Sequence, residues 1–201
     1  MNVTRTNYHH GALREALMTA TLELIETEGI GAVSLRQVAR AAGVSPGAPY
    51  HHFADRAALL TALSDEGFRR LATALTDARA AADTANTALT AILTAYVHFG
   101  QRNPAYFRLM FRPELTKSHK SPQGEEAGEE AFAVLDSTVA ECLAAGVVRA
   151  VDRDVLAITL WSLAHGLASL WLDGQLDHHT DDPAALTDQV AALVTTFTAE
   201  P

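Results

Sequence analysis

Three pairs of adjacent histidines, His9-His10, His51-His52 and His178-His179, are the residues best suited here to hold a metal or carry a proton. A chelate on a helix needs ligands at i and i+4, whereas adjacent residues point about 100° apart and do not converge. His178-His179 stands with Asp177, Asp181 and Asp182 in a looser cluster that a loop could fold around a cation. A solvated polar turn explains the same composition. The sequence has no Gly-rich phosphate loop, no nucleophile elbow and no set of cysteine ligands. The expectation is therefore no catalytic constellation, no metal and no cofactor. What remains is hydrogen-bond chemistry. Tyr50, His51 and His52 supply donors beside the small residues Gly47 and Ala48. Donors on a closely approachable backbone suit the phosphates and base edges of nucleic acid.

Those donors need elements to hold them. Leu13, Leu17, Ala20 and Leu24 recur at i, i+4, i+7 and i+11, one buried stripe of a helix that ends at Gly29 in a left-handed C-cap. Ser34 to Gln37 reads as a capping box, the Ser34 hydroxyl and the Gln37 amide each satisfying a free N–H. The short helix it opens turns Leu35, Val38 and Ala39 inward and stops at Ala42-Gly43-Val44. Ser45 is a good N-cap and Pro46 a good first residue for the next helix, which must be short because Asp55 caps another. Two short helices with glycine in the turn are the helix-turn-helix signature. The reading helix would run from Ser45 to Phe53. Gly47 and Ala48 would let the backbone come close, Tyr50, His51 and His52 would supply donors, and Val44 and Phe53 would face the core. Pro49 forfeits an intrahelical bond and should tighten or distort this turn. Two blander roles stay open: Tyr50 as a core aromatic and Arg36 as a solvated surface residue.

Residues 11–63 resemble the DNA-binding domain of the tetracycline-repressor family. The resemblance is carried by the Gly29 turn and the run SLRQVARAAGVSPGAPYHHFADRAALL, with Ser34-Leu35-Arg36, Val38-Ala39, Ala42-Gly43-Val44-Ser45, Tyr50, His52-Phe53 and Leu59-Leu60 correctly spaced. The family usually carries a lysine near the start of the following helix, where this chain has Arg56. The resemblance implies that Arg36 reaches a base edge or a phosphate. It places Pro46, Gly47, Ala48 and His51 against bases, and gives Tyr50, His52 and Arg56 to phosphates. Ser34, Gln37 and Ser45 complete the expected DNA-facing set. The function implied is a cytoplasmic transcriptional regulator, most often a repressor. Such a regulator binds a palindromic operator in double-stranded DNA as a homodimer and is released by a small-molecule effector. Ala-Pro-Tyr around Pro49 occurs in one branch of the family and departs from its commonest pattern.

The remaining pattern stays helical and offers no convincing strand, so the expected fold class is all-α. A three-helix helix-turn-helix domain over residues 1–54 precedes a ligand-binding and dimerisation domain over 55–201, of which 55–79 is a connecting helix. Leu89, Ile92, Leu93, Tyr96, Val97 and Phe99 mark the next helix; Asn103-Pro104 breaks it and starts a short one through Phe111. Residues 112–124 read as a loop, and further helices are expected over 125–145, 152–172 and 183–198. Trp161…His165-Gly166 and the segment Arg102 to Phe111 resemble the WHG type of regulatory domain. Ser162, Gly166 and Ser169 make a small-residue stripe that suits a two-fold dimer seam. Tyr96, Phe99, Phe107, Met110, Phe111, Trp161 and His165 are the candidates to line an apolar effector pocket, with ordinary core packing the alternative for each.

The totals agree with a folded, non-secreted chain. Hydrophobic residues make up 48% and charged residues 19% of the 201, which excludes a disordered composition. The one cysteine, Cys142, excludes an internal disulfide and suits a reducing compartment. The N-terminus lacks the apolar core of a signal peptide. Val155 to Leu172 approaches membrane-spanning length, but acids flank it and Thr159, Ser162, His165 and Ser169 interrupt it. A helix buried all round, in a core and an interface, is the expectation there, with no membrane as partner. Net charge is −9, yet Arg5, Arg14, Arg36 and Arg40 balance Glu15, Glu23, Glu26 and Glu28 over residues 1–54, so the acidic excess lies wholly in 55–201. DNA would be met by the N-terminal end and repelled by the body. A helical protein that only pairs with a partner chain is the rival reading.

Overall fold

The computed structural model describes residues 4–116, 122–148, 151–180 and 182–198, and among these it holds nine α-helices and no strand. They are α1 (Thr4–Glu28), α2 (Leu35–Ala41), α3 (Arg56–Ala80), α4 (Ala85–Arg102), α5 (Pro104–Met110), α6 (Pro113–Thr116), α7 (Pro122–Ala144), α8 (Arg153–Leu172) and α9 (Pro183–Thr198). Two 3-10 turns, Ile30–Ala32 and Ala48–His51, flank α2. The chain divides into two compact units: Met1–Gly67 with Ala105–Pro122, and Phe68–Pro104 with Gln123–Pro201.

In the first unit, Leu17, Ala20 and Leu24 of α1 are buried as their spacing requires, while Leu13, one turn earlier, is only half-buried. The helix ends at Gly29, whose φ of 84° is the left-handed conformation that glycine adopts without a Cβ clash. Leu35, Val38 and Ala39 form the inner face of α2. Leu59, Leu60 and Leu63 of α3 are fully buried, so this unit reaches past residue 54 and takes in the first turns of α3. It also takes in α5, which comes so close that a Cβ on Gly67 would lie 2.6 Å from Met110 Sδ.

In the second unit, Thr84 and Thr87 cap α4 reciprocally: each side-chain oxygen accepts from the other's backbone N–H. This helix packs chiefly on α8 and α9. Cys142 of α7 is fully buried and donates its thiol to the Ala85 carbonyl at 3.2 Å. Two expectations change here. The stretch read as a loop contains the single turn α6, and α7 begins at Pro122 instead of Glu125, because proline is well tolerated as a first helical residue. Helix α8 is not buried all round. Leu156, Ala157, Leu160, Ala164 and Ala168 face inward, while Val155, Ile158, Leu163 and Leu170 stay exposed. Among the described residues, α8 is the one helix long and apolar enough to cross a membrane.

Candidate nucleic-acid interface

The helix-turn-helix is built from short-range bonds. The Ser34 hydroxyl accepts from the Gln37 N–H at 3.3 Å, the expected N-cap of α2. The return half of the capping box does not form. The Gln37 side-chain oxygen accepts from the Ser34 hydroxyl at 2.7 Å, so the two side chains bond to each other. Gly43, at φ 68°, ends α2, and Val44 N–H closes back on the Ala39 carbonyl at 2.9 Å.

The reading segment departs from a regular α-helix. Ala48 N–H donates to the Ser45 carbonyl, Tyr50 N–H to Gly47 and His52 N–H to Pro49, all with i→i−3 spacing at 2.9–3.2 Å. Residue 49 contributes no N–H, and its ring is buried in the core. Proline thus removes a bond that an α-turn would need, and the tighter 3-10 turn results. Ser45 enters this turn through its carbonyl, while Gly47 takes the N-cap position with no side-chain cap.

This turn sorts the expected DNA-facing residues. Arg36, Ser45, Pro46, Gly47, Tyr50 and His51 are exposed; Ser34, Gln37, Ala48, His52 and Arg56 are half-buried. Tyr50 is 54% exposed, which removes the reading of it as a core aromatic. Phe53 is buried, with the Arg14 guanidinium 5.5 Å from its ring centre. Val44 is only half-buried. Sequence reasoning missed one residue of this surface. Arg40 is exposed one turn after Arg36 on α2, and i, i+4 spacing alone could have found it. Arg56 gives two donors to the protein's own backbone: Nε to the Val33 carbonyl at 2.8 Å and Nη2 to the Ile30 carbonyl at 2.7 Å.

The effector candidates fall into two groups. Phe107, Met110 and Phe111 lie in the first unit, the two phenylalanine rings 5.3 Å apart. Tyr96, Phe99, Trp161 and His165 lie in the second. The Tyr96 hydroxyl accepts from Trp161 Nε1–H at 3.2 Å and lies 3.0 Å from His165 Nδ1. Trp161 and His165 are one α8 turn apart, which brings both to one oxygen. Burial pushes the Tyr96 phenol well above its usual range and holds His165 below the usual histidine value. Phe99 lines a cleft with Ala74, Ala91, Thr94, Ala95, His98 and Arg102. On α8, Ser162 is exposed and Gly166 and Ser169 are half-buried. A Cβ on Gly166 would meet nothing within 4 Å. Among the described residues no group of three His, Cys, Asp or Glu side chains is placed to hold a metal ion. His178 and His179 are exposed, Asp181 and the side chains of His9 and His10 lie outside the described residues.

Two family models match this chain. The family model for bacterial regulatory proteins of the tetR family matches residues 17–63, and that for the tetracyclin repressor-like C-terminal domain matches residues 89–194. Curated proteins give no match. A protein of unknown function from Rhodococcus sp. RHA1 has a solved structure that is 33% identical, with a TM-score of 0.82 over 98% of this chain and 100% of that one. A tetR-family regulatory protein from Rhodococcus RHA1 is 23% identical, with a TM-score of 0.77 over 94% and 97% of the two chains. FadR from Bacillus subtilis, solved in complex with stearoyl-CoA, is 16% identical, with a TM-score of 0.69 over 90% and 97%. With matches to both halves of the family's architecture, the C-terminal one spanning more than half of its residues, this all-helical chain belongs to the tetracycline-repressor family of transcriptional regulators.

Proposed function

We propose that this regulator is a cytoplasmic repressor that binds a palindromic operator as a homodimer and leaves it when a small-molecule effector binds. The observation that carries the reading is the exposed strip of Arg36, Ser45, Pro46, Gly47, Tyr50 and His51, presented by two short elements around Gly43. Major-groove recognition wants such a segment, with small residues at its start and donors beyond. Residues 1–54 would read the DNA, with α3 leading into the regulatory part.

Dimerisation is supported by the exposed apolar residues Val155, Ile158, Leu163 and Leu170 of α8 and Leu193 of α9. Large apolar side chains left exposed in such number suit an interface. The open space over Gly166 and the small side chains of Ser162 and Ser169 would let a second copy come close. A two-fold axis would then place two reading segments about 34 Å apart, one DNA turn. The effector in this reading is a mostly apolar molecule held in the second unit, with Tyr96, Phe99, Trp161 and His165 nearest to it. FadR's complex with stearoyl-CoA gives the fold a precedent for such a ligand. Release would follow if the effector favours a dimer whose reading segments no longer match the half-site spacing.

The test is selection of binding sites from random duplex DNA, with wild-type protein, Arg36→Ala and Tyr50→Phe side by side. The expected outcome is a palindromic motif that both variants bind more weakly, Arg36→Ala by about tenfold for a lost charged contact. No enriched motif from folded protein would move the assignment to partner binding.

A further inference from the structure

We infer that Arg56 is the clasp of the DNA-reading segment: a positioning residue that ties the entry of α2 to the start of α3, not a phosphate contact. The inference rests on the reading that this segment binds DNA. Its geometry is a fork on a fork. Val33 is the extended C-cap of the 3-10 turn Ile30–Ala32, and its N–H closes on the Ile30 carbonyl at 3.2 Å, which keeps the two residues' carbonyls within reach of one side chain. The Nε–H and one Nη–H of a guanidinium lie along a single edge and can take both at once. Arg56 does so at 2.8 and 2.7 Å.

The partners matter. Val33 is 2% exposed and immediately precedes the N-cap of α2. A carbonyl on a buried residue needs a donor, and Arg56 supplies one. Everything that would touch DNA in the motif, from Ser34 to Tyr50 and His51, lies between Val33 and Arg56 in sequence. Two charge-assisted bonds therefore hold the two ends of the reading segment together across 23 and 26 residues. They fix the backbone from which Arg36 and Tyr50 project. Lysine at this position would keep the charge, but one ammonium cannot reproduce the planar two-carbonyl edge. Arginine here is thus a change of role and not only a conserved charge.

The experiment uses the full-length protein as Arg56→Lys and Arg56→Gln. Hydrogen exchange of the free protein is read by mass spectrometry over residues 33–53, with α4 and α8 as internal controls. Operator affinity is read over a salt series. The clasp predicts exchange about tenfold faster over 33–53 in both variants with the controls unchanged, since each loses charge-assisted bonds. It predicts weaker operator binding by about tenfold or more in both, lysine no better than glutamine, with the wild-type salt slope retained. Full recovery of affinity by lysine overturns the inference whatever the exchange shows. So does a slope lower by about one in Arg56→Gln with exchange unchanged, the signature of a lost phosphate contact. If the wild type captures no duplex DNA, the functional reading fails by itself. The exchange arm then decides the clasp: acceleration over 33–53 upholds it and unchanged exchange sinks it.

Discussion

The Tyr96 oxygen gathers two side chains of α8, Trp161 and His165, at one atom. Trp161 Nε1 can only donate, so the hydroxyl accepts there, while its 3.0 Å bond to His165 Nδ1 runs in the direction that the imidazole tautomer sets. A neutral His165 with its proton on Nε2 accepts from the hydroxyl there. Burial favours the neutral state by holding His165 below the usual histidine range. As pH falls, the unfolded chain takes up this proton first, so the stability held in the neutral imidazole is present near neutrality and lost as pH drops below about 6.5. Melting at about pH 7.5 and about pH 5.5 should therefore separate the wild type from His165→Asn, which offers a neutral acceptor at both values. The wild type should lose more Tm on acidification; an equal loss in both would remove His165 as the titrating group. The meeting of Trp161 and His165 was legible in their i, i+4 spacing. Their shared partner was not, because Tyr96 lies more than sixty residues away and only packing joins the helices. The role of Arg56 was hidden for the same reason: its acceptors are backbone atoms, which carry no residue signature.

At the scale of elements, helix boundaries set by caps were readable. Asp152 accepts from Val155 N–H at 3.0 Å and Asp55 from Ala58 N–H at 2.8 Å, both where a short acceptor precedes an apolar stripe. Boundaries set by proline were less so, since the same residue that breaks a helix at Asn103-Pro104 starts one at Pro122. In the reading segment the distortion expected from Pro49 is present, but its burial makes the ring a packing residue as well as a helix breaker. Gly47 offers a test of this element. It sits at φ −86° and ψ −19°, which any residue adopts, and a Cβ there would meet nothing within 4 Å. Gly47→Ala should stabilise the free protein by about 0.4–1 kcal/mol through the unfolded chain's lost freedom. Operator affinity should fall several-fold as the methyl holds the backbone off the bases. Urea titration and fluorescence anisotropy read the two effects separately. Unchanged affinity would mean that no close backbone approach occurs at Gly47.

At the scale of the whole molecule, charge and apolar surface divide the labour. The N-terminal 54 residues are balanced and residues 55–201 carry the excess acid, which favours approach of DNA by one end. The long apolar α8 was legible as a helix. Its one-sided burial was not, because a sequence apolar all round gives no sign of which face its own chain covers. Ile158 is 53% exposed, so Ile158→Lys should leave folding intact. In the proposed seam it would bring two like charges together, and sedimentation should show monomers at about micromolar concentration with operator binding lost. A persisting dimer would place the seam elsewhere. The lone thiol gives the molecule a built-in clock. Cys142 is sealed against the Ala85 carbonyl, and burial, with Glu141 nearby, raises its pKa and keeps it protonated. A thiol-reactive dye must wait for the second unit to open. The labelling rate of unmodified protein therefore counts those openings, and a compound that slows the count announces itself as a binder without any DNA present.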